Sequence, residues 1–201
     1  MIKIIDYKAG NAPSVLQAVT RLGYAAELAH TPENITDATH IILPGVGSAK
    51  ATMQSLRETG IADALEKAVL QQKIWFLGIC VGMQILFEHS EEENTDCLGW
   101  LGGSVIKFDT SRVRVPQMGW NQVNFVKNML TYTQSDYFYF VNSYYAKPKD
   151  KSDIWGISDY SGAFTAAVCR DNIYAMQFHV EKSGEAGLAL LNSFLSLKGG
   201  L

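Results

Sequence analysis

The chain has 201 residues, 47% of them hydrophobic, and a formal net charge of −3 at pH 7. This length can bury a full core, so we expect a single domain over residues 1–201. The acidic balance and the lack of a basic tract argue against a nucleic-acid partner, and no apolar stretch approaches the length of a membrane span. The first residues form a short apolar run followed by an acid, which is not the pattern of a signal peptide.

The cysteines also limit the possible functions. The chain has an odd number of cysteines, namely Cys80, Cys97 and Cys169, and they form no Cys-x-x-Cys pair. The four histidines form no cluster at metal-ligand spacing. We therefore predict a soluble cytoplasmic protein with free thiols, no metal site and no cofactor.

Apolar strand patterns and helix patterns alternate through the first half of the chain. Strands are predicted at residues 2–6, 24–29, 40–43 and 74–79. Helices are predicted after residue 12, where Val15, Ala18, Val19 and Leu22 repeat at helical spacing, and at 51–59 and 61–71, with a break at Gly60. The strands are continuously apolar, which is typical of a parallel sheet covered on both faces. A further helix is predicted after Cys80, ending at His89.

The second half is richer in β-forming residues. Residues 91–96 are predicted to form an acidic loop, and strands are predicted at 137–141, 154–157, 164–168 and 173–178, the last two as a hairpin. A final helix begins near Ser183, the expected N-cap. Its predicted core face is Gly187, Leu190, Leu191, Phe194 and Leu195. The fold class is thus α/β, with a mostly parallel central sheet flanked by helices and an antiparallel accessory section.

Cys80 directly follows the apolar run 74–79, which predicts a fully buried strand, and it lies in the frame Gly78-x-Cys80-x-Gly82. A nucleophile between two glycines is typical of a sharp, strained strand-to-helix turn. A helix N-terminus after the cysteine would favour its thiolate, and the amide of Val81 could face an oxyanion. A buried, unreactive cysteine is the alternative, and the glycine frame argues against it.

His179 is the histidine best placed to serve this nucleophile. It follows an apolar strand, as Cys80 does, and the carboxyl ends of parallel strands meet at one edge of a sheet. Glu181, two residues later, could accept a hydrogen bond from the imidazole and fix its tautomer. A strand-end histidine and a carboxylate ahead of a helix are the separate alternatives. Together with Cys80, the three side chains predict a catalytic triad.

Three other segments point towards the same edge. The turn at residues 44–47 could present an amide to a tetrahedral oxyanion, although an ordinary glycine turn has the same sequence. Gln84, four residues after Cys80, would share its helix face and could pair with a polar substrate, or be simply exposed. Residues 142–144 close an aromatic strand and could line the same pocket.

These motifs resemble a known family. Residues 78–84 (Gly-Ile-Cys-Val-Gly-Met-Gln) and 177–181 (Gln-Phe-His-Val-Glu) are similar to the class I glutamine amidotransferases. Residues 44–47, 116–121 and 139–144 point to the branch formed by the glutaminase subunits of imidazole glycerol phosphate synthases, of histidine biosynthesis. The resemblance covers essentially the whole chain.

The resemblance implies a role for each matching residue. Cys80 would attack the side-chain amide of L-glutamine, His179 would protonate the leaving ammonia, and Glu181 would orient His179. Val81 and, after a peptide rearrangement, Val46 would form the oxyanion hole. The residues implied to hold glutamine are Gly45, Gly47, Gln84, Asn142, Ser143 and Tyr144.

The resemblance also implies a partner. Ammonia would pass to a (β/α)8-barrel synthase subunit in a heterodimer, and that subunit would make imidazole glycerol phosphate and an aminoimidazole carboxamide ribotide. The positions implied to face the synthase are Asn11, Trp120, Tyr139 and Lys182. Glutaminase activity is expected to be low alone and to rise when the synthase binds its ligand.

Some residues depart from the usual family pattern without removing a triad member. Val180 stands where proline is usual, and Asn142 and Gln117 stand where histidine is usual. Two alternatives therefore stay open. One is a paralogous glutaminase that feeds another ammonia acceptor, such as a surface-sugar synthase. The other is a catalytically silent module that keeps the fold for complex assembly.

Overall fold

A large mixed β-sheet organises the computed structural model, which describes residues 1–8, 11–132 and 134–198. The strands in these ranges are β1 (Ile2–Ile5), β2 (Ala26–Ala29), β3 (His40–Gly45), β4 (Trp75–Cys80), β5 (His89–Ser90), β6 (Thr95–Asp96), β7 (Gly103–Lys107), β8 (Gln117–Phe125), β9 (Asp136–Asn142), β10 (Tyr144–Pro148), β11 (Ile154–Asp159), β12 (Ala163–Arg170) and β13 (Ile173–Met176). The helices are α1 (Ala12–Arg21), α2 (Ala49–Glu58), α3 (Ile61–Glu66), α4 (Val81–Gln84) and α5 (Gly184–Leu195).

Five parallel strands form one half of the sheet, in the order β2-β1-β3-β4-β13. All residues of β1, β3 and β13 are buried, as expected for strands with helices on both faces. In β3 and β4, Gly45 is paired with Cys80. The glycine turn and the nucleophile therefore leave the sheet side by side, which confirms the α/β class and the parallel arrangement.

The other half of the sheet is mostly antiparallel. β12 pairs with β13 in the predicted hairpin and continues to β10 and β11, while β8 joins β11 to β9. Burial alternates along β9, where Phe138, Phe140 and Asn142 are buried and the residues between them are partly open. One face of the hairpin formed by β8 and β9 therefore packs on the core, and the other face is free.

The longer helices pack as their sequence periodicity predicts. In α1, Val15, Ala18 and Val19 are buried, and Pro13 lies in the first turn, where its missing N–H costs nothing. The predicted core face of α5 is buried along its whole length. The predicted helix over 61–71 is α-helical only to Glu66 and continues as a π-helical segment, Lys67–Gln71. None of the helices in the described ranges is long and apolar enough to cross a membrane.

The predicted helix from Cys80 to His89 is wrong. α4 ends at Gln84, after a single turn, and His89 belongs to β5. Ile85, Leu86 and Phe87 are all fully buried, which one helix face cannot achieve for three consecutive residues. Their carbonyls accept hydrogen bonds from the N–H groups of residues 98, 101 and 99 instead of continuing the helix.

Two further local predictions differ from the structure. The acidic segment at residues 91–96 is a 3₁₀ turn, Glu92–Asn94, followed by the short strand β6, because β5 and β6 pair with each other. Ser183 does precede α5, but its side chain does not cap the helix. The hydroxyl instead donates to the carbonyl of His179 and accepts from the N–H of Tyr139.

Candidate active site

Cys80 occupies a strained turn at the end of β4. Its backbone lies at φ 55° and ψ −111°, a conformation that costs a non-glycine residue energy. The flanking glycines permit this turn, because a Cβ at Gly82 would lie 2.0 Å from the carbonyl oxygen of Leu43 and one at Gly78 would lie 2.5 Å from the carbonyl oxygen of Gly82. The predicted glycine-framed turn is therefore confirmed.

His179 lies three residues beyond β13 and is tied to β9. Its backbone N–H donates to the carbonyl of Tyr139, at 2.9 Å between nitrogen and oxygen. Its Nδ1 lies 2.9 Å from Glu181 Oε1, and the two side chains are only 3% and 1% exposed. The main chain of His179 is thus fixed by β9 and its imidazole by a carboxylate, which is the arrangement of a base with an orienting partner.

The electrostatics of the pair favour an imidazolium. Burial opposes a charge on His179, but its interactions with the sulfur of Cys80 and the carboxylate of Glu181 outweigh burial and raise its pKa to about 10. Burial likewise raises the pKa of Glu181, but the hydrogen bond from His179 outweighs it, and the net pKa is below its ordinary value. Both directions describe one buried ion pair beside the thiol.

A second donor supports Glu181 from the other side. The side-chain nitrogen Nδ2 of Asn11 donates to Glu181 Oε1 at 3.0 Å, and Asn11 Oδ1 accepts from the hydroxyl of Ser14 at 2.7 Å. In the part of the chain that the structure describes, Glu181 Oε2 is buried and has no donor. Asn11, which the sequence assigns to a partner interface, therefore also touches the triad.

A cavity of about 260 Å³ opens over Cys80 and His179. Its volume lies just below the range of about 300 to 1,000 Å³ that is usual for drug-sized ligands, so it suits a smaller molecule. The residues that line it are Val46, Gly47, Cys80, Val81, Gln84, Glu92, Pro116, Val141, Asn142, Ser143, Tyr144 and His179. No group of three possible metal ligands occurs in the ranges that the structure describes.

The cavity brings together most of the residues that the sequence proposes for substrate binding. Gly45 lies behind the cavity wall, where a Cβ would meet the Cβ of Val81 at 2.7 Å. Glycine is therefore required at this position for packing between β3 and the turn after Cys80. Glu181 also lies outside the lining, on the far side of His179.

A chain of side-chain amides runs beneath the cavity floor. Gln84 Nε2 donates to the carbonyl of Tyr144 at 3.1 Å and to Gln177 Oε1 at 3.0 Å. Gln177 Nε2 donates to the sulfur of Cys80 at 3.7 Å. Asn142 Nδ2 donates to the same Tyr144 carbonyl at 3.0 Å. Gln84 is only 4% exposed, so it is not the exposed glutamine of the alternative interpretation.

Two polar residues of this region are missing from the site that the sequence predicts. Glu92 reaches the cavity from the acidic segment; burial raises the pKa of its carboxyl, although the N–H of Ala49 donates to it. Nothing in that acidic run singles out Glu92. Gln177 is completely buried, and a polar residue directly after an apolar strand is a signal that could have identified it.

The four residues proposed to face a partner lie on one side of the molecule, beside the triad. Trp120 is 56% exposed, and its ring packs edge-on against Tyr139, with 6.0 Å between centroids. Tyr139 is bonded through its N–H to Ser183, next to the exposed Lys182, and Asn11 contacts Glu181. The aromatic pair of Trp120 and Tyr139 and the side chain of Lys182 thus lie behind the His179–Glu181 pair.

Comparison with known proteins agrees with this geometry. The family model for glutamine amidotransferase class-I matches residues 3–197. Among solved structures, one described as the crystal structure of glutamine amidotransferase superposes with a TM-score of 0.78 over 96% of both chains, and the structure of PurLQS from Thermotoga maritima gives the same values. Both are 19% identical to this chain, so they support the fold alone.

Similar sequences narrow the family. The imidazole glycerol phosphate synthase subunit HisH 2 of Methanococcus maripaludis is 43% identical, covering 97% of this chain and 98% of its own length. The imidazole glycerol phosphate synthase subunit HisH of Leptospira interrogans is 42% identical, covering 98% and 100%. The chain therefore belongs to the class-I glutamine amidotransferases and, within them, to the family of imidazole glycerol phosphate synthase HisH subunits.

Proposed function

We propose that this chain hydrolyses glutamine to glutamate and ammonia, and supplies the ammonia to a synthase subunit that makes imidazole glycerol phosphate in histidine biosynthesis. The observation that carries the proposal is that Cys80 and His179 line one cavity and that Glu181 lies behind His179, so that His179 is held between the other two side chains. Family membership supports the substrate, and the small cavity suits an amino acid.

The first half-reaction forms a thioester. The Cys80 thiolate attacks the carboxamide carbon of glutamine, and the resulting tetrahedral adduct collapses with cleavage of the carbon–nitrogen bond. The His179 imidazolium gives its proton to the departing nitrogen, which leaves as ammonia. The raised pKa of His179 supports this role, because the group holds a proton at neutral pH and can release it only to a developing base.

The second half-reaction regenerates the thiolate. Neutral His179 takes a proton from water, the resulting hydroxide attacks the thioester carbon, and the carbon–sulfur bond breaks to release glutamate. Glu181 stabilises the imidazolium that forms in this step and keeps Nδ1 as the donor. Val81, whose amide follows the nucleophile, and Val46 on the neighbouring turn serve the oxyanion of both adducts.

The residues that line the cavity bind glutamine. The Glu92 carboxylate is the acceptor for the α-ammonium group, and Gly47, Ser143 and Tyr144 flank the substrate. Asn142 is 5% exposed and its Oδ1 has no donor in the described residues, so this oxygen is available to an N–H group of the substrate. Gln84 contributes through its carbonyl oxygen, since its amide nitrogen already serves Tyr144 and Gln177.

The partner is a (β/α)8-barrel synthase that docks, as one half of a heterodimer, on the face formed by Asn11, Trp120, Tyr139 and Lys182. The exposed Trp120 is the kind of aromatic anchor that dominates interfaces. The Asn11–Glu181 hydrogen bond supports coupling of that face to the triad. The reaction takes place in the cytoplasm; Cys80, Cys97 and Cys169 are free and buried, which suits a reducing compartment.

The decisive experiment measures glutaminase activity of the purified chain alone, and then with the barrel synthase and its nucleotide ligand. We expect a large rise with both present. In the same complex, Cys80→Ala abolishes glutamine-dependent synthesis while synthesis from free ammonia continues. Loss of the ammonia-dependent reaction as well would contradict the proposed division of labour.

The same assay separates the alternatives. If the complex shows no rise but a glutamine-like diazo-ketone still labels Cys80, the chain is a glutaminase for a different ammonia acceptor. If Cys80 stays unlabelled even in the complex, the chain is a silent binding module, and the proposed chemistry is wrong.

A further inference from the structure

The amides beneath the cavity have only one possible orientation. The carbonyl oxygen of Tyr144 can only accept, so the side chain of Gln84 must present its NH₂ group to it. That same NH₂ group faces Gln177, which must therefore present its oxygen to Gln84. The remaining end of Gln177, its own NH₂ group, is thereby directed at the sulfur of Cys80. A fixed main-chain acceptor thus dictates which group reaches the nucleophile.

We propose that Gln177 is a catalytic hydrogen-bond donor to the Cys80 thiolate, and that Gln84 is the positioning residue that keeps its NH₂ group turned towards the sulfur. This inference rests on the proposed function only in taking Cys80 as the nucleophile. It assigns a role to two glutamines in addition to the triad and the oxyanion hole.

The surroundings of the sulfur give this donor its importance. The carbonyl oxygen of Val141 lies 3.8 Å from Sγ, where it accepts from the S–H group of the thiol and repels a thiolate. α4 has only four residues, so its dipole is small compared with the helix that the sequence predicts. Gln177 donates directly to the sulfur of Cys80, and the protonated imidazole of His179 lies beside it.

Burial strengthens the contact. Gln177 is 0% exposed and Cys80 is 5% exposed, so water does not replace a lost donor at low cost. A reversed Gln177 amide would turn its carbonyl oxygen towards the thiolate, and its NH₂ group would then face the NH₂ group of Gln84. The network penalises this reversal at both ends, which explains why two buried glutamines are placed in series.

The test is the pH profile of Cys80 alkylation by iodoacetamide, measured on the full chain by mass spectrometry of the peptide. Neither glutamine nor a partner is needed, so the result is independent of the glutaminase assay. Burial raises the pKa of Cys97 to about 11 and that of Cys169 to about 12, and their peptides are scored separately. We expect Gln177→Met to move the midpoint of the Cys80 profile upward by about one pH unit.

The matched control is Asn172→Leu. Asn172 and Gln177 are buried amides at the two ends of β13, and Asn172 donates to the carbonyls of Val69 and Ile74, away from the sulfur. Its replacement leaves the Cys80 midpoint unchanged. Gln177→Glu, which is nearly isosteric but presents a carboxylate to the sulfur, raises the midpoint further and covers the case in which the methionine variant does not fold.

Gln84 is tested by a double-mutant cycle. Gln84→Met raises the midpoint in the natural background, because Gln177 is no longer held, and adds nothing in the Gln177→Met background. A Gln177→Met profile that coincides with that of the unaltered chain would overturn the proposal. Additive shifts for the two replacements would overturn the positioning role of Gln84.

Discussion

The two halves of the sheet differ in how far their hydrophobic side chains are buried. In the parallel half, β1, β3 and β13 are buried at every residue. In the antiparallel half, several large hydrophobic side chains are exposed: apart from Met1, the exposed ones in the described ranges are Met118, Trp120, Val126, Met129 and Tyr137. All five fall in or beside the β8–β9 hairpin.

This difference separates two tasks. A strand buried on both faces is fixed by packing, so the parallel half can hold Cys80 in a strained turn beside Gly45. A strand with one free face can offer an apolar surface to another protein while its C-terminal end, with Val141 and Asn142, closes the cavity. Cys80 is thus held in the fully buried half, and the bond from His179 N–H to Tyr139 connects the end of β13 to β9 in the open half.

The largest expected effect concerns the triad, where the two halves meet. His179→Ala in the complex reduces glutamine-dependent turnover by about 10⁴-fold, since both proton transfers are lost. Glu181→Ala costs roughly 10- to 100-fold less, because the backbone bond from His179 N–H to Tyr139 still holds the segment that carries the imidazole. Steady-state kinetics with glutamine measure both, and ammonia-dependent synthesis is the control. The reverse order of severity would show that the roles are wrongly assigned.

The strained turn of the parallel half is tested by Gly82→Ala. The added Cβ would lie 2.0 Å from a backbone oxygen of β3, so the free energy of unfolding falls by about 3 kcal/mol or more. Gly99→Ala is the control: its φ is +68° with nothing within 4 Å of a Cβ, and it costs about 1 kcal/mol from backbone strain alone. Urea unfolding compares the two. Equal losses would mean that close packing at the turn is unimportant.

The open face is tested by Trp120→Ala. We expect this variant to bind the barrel synthase roughly 30-fold more weakly, a loss of about 2 kcal/mol in the free energy of binding. The reason is that a half-exposed tryptophan is a typical interface anchor. The free energy of unfolding changes by less than about 0.5 kcal/mol. Calorimetric titration gives the affinity, and Lys67→Ala, a change at an exposed residue outside the β8–β9 hairpin, leaves it unchanged. Unaltered binding by the Trp120 variant would place the interface elsewhere.

The smallest expected effect is on the pH dependence of the free energy of unfolding. The pKa of His179 is about 10 in the folded chain, against about 6.5 when unfolded, so its protonation contributes stability that is complete below about pH 6.5 and lost as the pH rises through about 10. Glu181→Gln removes one of the charges that raise this pKa, and the loss between these pH values shrinks by something on the order of 1 kcal/mol.

Urea unfolding at about pH 6, 8 and 10 measures this change. Other groups that titrate near pH 10 cancel in the difference between the variant and the unaltered chain. Parallel profiles for the two proteins would contradict the ion pair between His179 and Glu181.

The sequence by itself determined the features that depend on near neighbours. The strained turn at Cys80 follows from the glycines two residues away, the His179–Glu181 contact spans two residues, and the parallel sheet follows from continuously apolar strands. Each is a consequence of local backbone geometry or of periodicity, which a sequence displays directly.

Only the tertiary structure decided the rest. The early end of α4 depends on carbonyls that bond to residues 98–101, the arrival of Glu92 at the cavity depends on the pairing of β5 with β6, and the side chain of Ser183 bonds to β9 instead of its helix. The donor to Cys80 is Gln177, 97 positions away. These contacts depend on how distant strands align, and the free energy of such alignment is not encoded in any short stretch of chain.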